Sequence, residues 1–293
     1  KRGLTPQQLV DDVAPRFEAM WRALDISNDD FIRTTEGRHK DVVRALWKRI
    51  AARNRDDLYL ASYSGWYCVG CEAFYTESQL EKAPGDDAWR CTIHHTPVAW
   101  IAKERSWFFR LSAYKQKLID HINANPDFIQ PDAYRKEVLG FLRGEVRDLS
   151  VSRTSFRWGI DVPEGDPEGN HHVIYVWMDA LVNYVSSLGG FDTPQFDALW
   201  PTTVHLIGKD ILRFHAVYWP CFLMAAELPL PKKILCTGWW TIGGRKISKS
   251  IPATPAAPPG AKARAARPIP SARRGQAGRA QRAFGEESRA EPR

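Results

Sequence analysis

Three short apolar runs constrain this chain more than any other feature in it. They are Val173-Ile174-Tyr175-Val176-Trp177, Val204-His205-Leu206-Ile207-Gly208 and Lys233-Ile234-Leu235-Cys236-Thr237-Gly238. Each is β-branched and continuous rather than alternating, the pattern of a strand buried on both faces of a parallel sheet. A helix is expected from near Asp179, and another from Asp210 toward Met224, bent at Pro220. Strand, helix, strand, helix, strand is one half of a doubly wound, Rossmann-type α/β fold. Ligands of such sheets bind beyond the carboxyl ends of the strands, so Trp177, Gly208 and Gly238 mark the expected site.

The residues ahead of these runs have a different texture. Thr5, Pro6 and Gln8 form a capping box with proline at the first helical position. Leu9, Val13, Phe17, Met20 and Leu24 follow at helical spacing and predict one buried stripe. A second helix is expected from about His39 to Ala52, with Val42, Val43, Leu46, Trp47 and Ile50 inward. From about Gly65 to Lys103 the pattern is short, irregular and punctuated by cysteine. Two more amphipathic helices are expected near 107–124 and 132–144.

Cys68-Val69-Gly70-Cys71 and, nineteen residues on, Cys91-Thr92-Ile93-His94 supply three thiolates and an imidazole. That is a closed tetrahedral set for a structural zinc, which pins a segment too small to build a core of its own. His95 competes with His94 as the fourth ligand. A redox-active Cys-x-x-Cys pair is the other reading, though it normally opens a helix in a thioredoxin-like unit. Cys221 and Cys236 lie on apolar elements and are expected in the core.

The net charge of +7 invites a nucleic-acid reading, but its location argues against a basic face. Residues 251–293 hold nine Lys and Arg against three Asp and Glu, while the first 250 residues hold 32 against 31. The basic excess thus belongs to an Ala/Pro/Arg-rich tail with one aromatic, Phe284, which cannot build a core. Residues 251–293 are expected to be disordered, from a frameshift in a GC-rich gene; a basic RNA-binding extension is the rival. No apolar run is long enough to span a membrane. The cysteine usage points to a reducing, cytoplasmic setting.

Just before the tail stands Gly243-Gly244-Arg245-Lys246-Ile247-Ser248-Lys249-Ser250. Two lysines three residues apart, behind a glycine pair, suit a loop that brings point charges onto a polyphosphate and withdraws them. Alone, such a match is more often a solvated turn.

Together these blocks identify a family resemblance. The segment from Gly65 to Tyr75 (GWYCVGCEAFY) is similar to the zinc-bearing connective insertion of bacterial methionyl-tRNA synthetases. Val173–Tyr184 (VIYVWMDALVNY) and Val204–Pro220 (VHLIGKDILRFHAVYWP) resemble the second half of their class I catalytic domain. Lys246–Ser250 (KISKS) resembles the class signature KMSKS, with Ile247 in place of methionine. The similarity runs from about Leu4 to Ser250.

The resemblance implies ATP-dependent activation of methionine and transfer to tRNA(Met), with ATP and its Mg as substrate and zinc as structural metal. It assigns the leaving pyrophosphate to Lys246 and Lys249, and ATP also to Gly208 and Asp210; Asp210 is alternatively the N-cap of its own helix. It places Trp177, Ala180, Tyr184, Ile211 and His215 around methionine, and zinc on Cys68, Cys71, Cys91 and His94.

The expected domains are 1–57, the remainder of the first half of the catalytic domain; 58–150, the insertion; 151–250, the second half; and 251–293, the tail. A HIGH-type histidine motif and an aspartate-bearing strand are expected ahead of Lys1, and an anticodon-binding domain after Ser250. The catalytic domain is therefore expected to be incomplete, without methionine-dependent ATP–pyrophosphate exchange of its own. The competing readings are a non-catalytic, zinc-stabilised RNA-binding protein and a class I synthetase for leucine, isoleucine, valine or cysteine.

Overall fold

The structure is a computed structural model that describes residues 3–68, 73–77, 80–82, 85, 87–92, 95–239, 241–242 and 245–246. Of these, 63, 73, 74, 102–104, 241, 242, 245 and 246 are described by backbone alone. The tail, Cys71, His94, Ile247 and Lys249 lie outside the described residues. Two compact units are distinguished, residues 1–239 and 240–293.

Helix α1 (Pro6–Ala23) starts as the sequence predicts. Thr5 accepts from the Gln8 amide, and the Gln8 side chain accepts from the Thr5 amide. Its apolar stripe, however, is not buried: Leu9, Phe17, Met20 and Leu24 are 43–64% exposed. Amphipathic spacing shows that a helix has an apolar face but not that anything packs on it, and α1 is held mainly through Trp21 edge-on to Phe31 and an Arg33–Asp11 ion pair. Helix α2 (Gly37–Arg53) buries the five predicted residues and also His39. Fully burying a Val, Leu or Ile side chain contributes about 1.5–3 kcal/mol, so α2 is a principal wall of the core.

An antiparallel sheet follows. Strand β1 (Leu58–Cys68) pairs with β2 (Ala73–Tyr75), while β3 (Leu80–Lys82) and β4 (Trp89–Cys91) form a separate two-stranded ribbon. Strand β5 (Ala99–Phe109) runs back along β1, with Leu58 opposite Phe109 and a register shift between Tyr63 and Gly65. Trp107–Phe109 are therefore strand, not the start of a helix as their apolar spacing predicts. Helix α3 begins at Leu111 (Leu111–Ala124).

Strand β6 (Ile129–Gln130) leads to α4 (Asp132–Arg143). Strand β7 (Leu149–Ser150) closes the antiparallel sheet in the order β2-β1-β5-β7. Strands β8 (Ser152–Arg153) and β9 (Val173–Ile174) pair antiparallel. The loop between them folds onto the sheet through Asp166, which meets Arg105 at 3.1 Å, the Glu168 amide at 2.9 Å, Asn170 at 2.8 Å and His172 Nε2 at 3.1 Å.

Val173–Trp177 is not a strand of the parallel sheet. Only two residues are extended, and helix α5 (Val176–Leu181) begins at once, followed by α6 (Asn183–Ser186) and α7 (Pro194–Leu199). A short apolar run does not distinguish a buried strand from a buried helical turn. Strand β10 (Val204–Gly208) stands as expected.

Helix α8 (Trp219–Ala225) opens at Trp219, with Pro220 in its first turn. Between β10 and α8 lie a 3-10 turn (Lys209–Ile211) and a π-helical stretch (Phe214–Tyr218) rather than one bent helix. Proline has no N–H to give the i−4 carbonyl, and a wider turn ahead of it accommodates that loss.

Strand β11 (Lys233–Thr237) pairs parallel with β10 and with β6. The sheet order is β10-β11-β6, so its third strand is Ile129–Gln130 and β10 is an edge among the described residues. Burial on both faces is also not found: His205, Ile207, Ile234 and Cys236 are buried, while Val204, Leu206 and Leu235 are 48%, 68% and 40% exposed. In the second unit, β12 (Thr241–Ile242) and β13 (Arg245–Lys246) pair antiparallel, with Thr241 opposite Lys246.

Candidate active site

Helices α5 and α6 carry Trp177, Ala180 and Tyr184 at positions i, i+3 and i+7, one helix face. Helix α2 fixes that face from behind. His39 Nε2 donates to Asp179 Oδ1 at 2.7 Å, and its Nδ1 meets Ser186 Oγ at 2.8 Å. Both His39 and Ser186 are fully buried. Neither residue was legible as functional in sequence, because an Arg-His pair entering a helix carries no signal of its own.

The opposing wall is the irregular segment after β10, which supplies Ile211 and, one turn on, His215. His215 Nδ1 bonds the Ile211 carbonyl at 2.9 Å, and His215 Nε2 meets the Tyr184 hydroxyl at 2.8 Å. Trp177 is edge-on to His215 with centroids 6.4 Å apart and lies flat on Phe214 at 3.7 Å. The structure thus brings Trp177, Tyr184 and His215 into one array, with Ala180 on the same helix face and Ile211 bonded to His215. Phe214 was missed in the sequence, although an aromatic beside His215 at the foot of a predicted site was the available signal.

Burial sets the array's protonation. It pushes the Tyr184 phenol up to about 12 and the His215 imidazole down, the latter opposed by its bond to Ile211. The array is uncharged at neutral pH. An uncharged aromatic surface suits a polarizable, apolar side chain.

Gly208 ends β10, and a Cβ placed there meets nothing within 4 Å, so the backbone is open to close approach. Asp210 is exposed in the 3-10 turn and is not its N-cap, which is Gly208. Its Oδ1 accepts from Trp239 Nε1 at 3.0 Å, a partner 29 residues away that no motif announces. Lys246 lies in β13.

Of the expected metal ligands, Cys68 and Cys91 are described. Both are fully buried, in one small cluster with Leu80 and Val98. His95 is turned away to the surface, where its Nδ1 meets Glu81 Oε1 at 2.6 Å. Cys221 and Cys236 are core residues, as expected. No described helix is long and apolar enough to cross a membrane.

Comparison with known proteins gives these residues a context. The family model described as "tRNA synthetases class I (M)" matches residues 1–254. A methionine–tRNA ligase of Rickettsia conorii is 49% identical over 254 residues, covering 85% of this chain and 47% of that protein. One from Thermotoga maritima is 44% identical over 250 residues, covering 85% of this chain and 38% of its own length.

The Mycobacterium tuberculosis methionyl-tRNA synthetase in complex with methionyl-adenylate superposes with a TM-score of 0.77 at 46% identity, covering 85% of this chain and 48% of that one. The chain spans about half the length of the curated relatives it matches. A class I catalytic fold, shared with a solved synthetase at this identity, underlies the aromatic array and the strand-end residues alike: the chain belongs to the class I tRNA synthetases, in the family designated (M).

Proposed function

We propose that this chain is catalytic-domain sequence of a methionine–tRNA ligase, with a doubly wound, Rossmann-type core and a zinc-bearing insertion. The observation that carries the reading is the uncharged array of Trp177, Tyr184 and His215, set against the segment that leaves the carboxyl end of β10. Identity of 46% to a synthetase solved with methionyl-adenylate supports it. The readings as an RNA-binding protein, or as a synthetase for another amino acid, give that array no task. The proposed limits are 1–57 and 151–250 for the catalytic domain and 58–150 for the insertion.

Activation forms a bond from a methionine carboxylate oxygen to the α-phosphorus of ATP, and the bond from that phosphorus to the pyrophosphate oxygen breaks. Pyrophosphate leaves with the electron pair, accompanied by Mg. No proton has to move, so the protein's task is placement and charge neutralisation. Trp177, Ala180, Tyr184, Ile211 and His215 hold the methionine side chain. Gly208 admits the ATP ribose and the Asp210 carboxylate accepts from its hydroxyls, once exchanged from Trp239. Lys246 and Lys249 meet the charge developing on pyrophosphate. The ribose hydroxyl at the end of tRNA(Met) then attacks the methionyl carbonyl, and AMP departs.

Cys68, Cys71, Cys91 and His94 would hold zinc. Two thiols buried together among apolar side chains fit a closed thiolate site, and His95's engagement with Glu81 leaves His94 as the fourth ligand. The metal supplies folding energy and takes no part in the reaction. The setting is cytoplasmic.

Calorimetric titration with methionyl sulfamoyl adenosine, a non-hydrolysable adenylate, tests the reading. The chain is expected to bind it and to prefer it over the leucyl counterpart. Trp177→Ala is expected to weaken binding by about tenfold, the equivalent of one lost aromatic contact. A folded chain that binds neither, or both equally, overturns the reading.

A further inference from the structure

Behind the Tyr184–His215 pair stands a residue that no step above employs. His205, the second residue of β10, points inward and is fully buried. Its ring lies face to face with Tyr184 at 3.9 Å and 24°, and edge-on to Trp200 and His215 at 5.8 and 6.2 Å.

The hydrogen bonds fix every proton here. An indole N–H can only donate, so Trp219 Nε1–H gives to His205 Nε2 at 3.1 Å, and His205 carries its own hydrogen on Nδ1. That Nδ1–H has no partner among the described residues. A carbonyl can only accept, so His215 Nδ1–H donates to Ile211, and His215 Nε2 receives the Tyr184 hydroxyl proton. Burial, reinforced by repulsion from His215, pushes His205 down to about 3, so the ring stays neutral.

A buried donor without a partner is costly, and an aliphatic residue would avoid it. No aliphatic residue, however, offers Tyr184 a flat face and Trp219 an acceptor together. Phenylalanine offers only the face, and glutamine only the acceptor. A thioether differs from a hydrocarbon of equal length chiefly in how ring edges and hydroxyls meet the sulfur. Discrimination between them therefore depends on the plane in which Tyr184 is held.

The geometry points to His205 as a positioning residue for specificity: clamped by Trp219, its ring holds Tyr184 against His215 so that the array distinguishes a thioether from its methylene isostere. This rests on the reading of the array as a methionine site.

The test uses the purified chain with His205→Leu, His205→Phe and, as reference, Tyr184→Phe. Two readouts are taken: imidazole 15N shifts of His215, and the ratio of dissociation constants for norleucine and methionine by calorimetry. His205→Leu is expected to disturb the His215 Nε2 acceptor signature. It should lower the ratio by about three- to tenfold, toward that of Tyr184→Phe, the range a stacked aromatic pair supports. His205→Phe, which keeps the flat face, is expected to retain most of the ratio. A folded His205→Leu with both readouts unchanged overturns the assignment, whereas a merely structural role lowers the melting temperature and leaves the ratio alone. If the wild-type chain binds neither ligand, the methionine reading fails, and the 15N readout alone decides whether His205 holds the Tyr184–His215 bond. If His205→Leu does not fold, His205→Phe decides: loss of the ratio or of the His215 signature in that variant overturns the stacking role.

Discussion

Replacing His39 with alanine tests whether α2 holds the substrate-facing helix in place. The substitution removes one bond to a carboxylate at 2.7 Å and one to a hydroxyl at 2.8 Å, both reaching across about 140 residues of sequence. A hydrogen bond to a charged group is worth about 1.5–3 kcal/mol and a neutral one about 0.5–1.5. Asp179 is 17% exposed, so water repairs only part of the loss on its side. The expected destabilisation is about 3 kcal/mol, or about 6–12 °C in melting temperature for a chain of this size.

Asp179→Asn keeps an acceptor oxygen and is expected to cost about 1–2 kcal/mol, the charge-assisted part alone. Urea unfolding of wild type, both single variants and the double variant, followed by tryptophan fluorescence, gives the coupling. Once either partner is changed, the second change should cost little, leaving an interaction term of about 1–2 kcal/mol. Losses that simply add, within about 0.5 kcal/mol, would mean that the two side chains do not act together, and the account of α2 as the anchor of Trp177 would be wrong.

Three further outcomes are expected. His205 binds its proton near pH 3 when folded and near about 6.5 when unfolded, so its contribution to stability is complete above pH 6.5 and falls as the pH drops toward 3. Between pH 7 and pH 5 about 2 kcal/mol is lost, and urea midpoints of His205→Phe should be flatter over that interval. At Asp166 burial works to raise the carboxyl pKa, but the Glu168 amide, Asn170, His172 and Arg105 together outweigh it and hold the group far below the usual range. Its depressed value adds stability above about pH 4 that is lost on further acidification, so the melting-temperature gap between wild type and Asp166→Asn should be full at pH 6 and shrink below pH 4. Elemental analysis should find about one zinc per chain. Cys91→Ala should abolish it and broaden thermal unfolding, while His95→Ala retains it.

Much of the architecture was legible because it follows from local rules. The Thr5–Gln8 capping box and the inward face of α2 both depend on residues three or four apart. The reading failed where a pattern was right but its environment was not local. Val173–Trp177 has the composition of a buried strand, yet the antiparallel pairing of Val173–Ile174 with Ser152–Arg153 ends the strand after two residues. The third parallel strand, Ile129–Gln130, is too short to announce itself and exists because β11 pairs with it. At the site, the residues brought into the array were recognisable from their motifs. The groups behind them, His39 and His205, were not, because burial and partnership across more than ten residues leave no spacing to read.

Among the described residues the parallel sheet ends at β10, whose outward positions Val204 and Leu206 are apolar and exposed. Unpaired backbone groups flanked by apolar side chains form a surface that a second copy can match without any change of sequence. Encounter of two such edges is a bimolecular event, so loss of usable protein in storage should scale with the square of its concentration. Dilution lowers the frequency of that encounter directly, and cooling weakens the apolar association that follows it. For a molecule with this edge, shelf life is a property of the solution as much as of the fold.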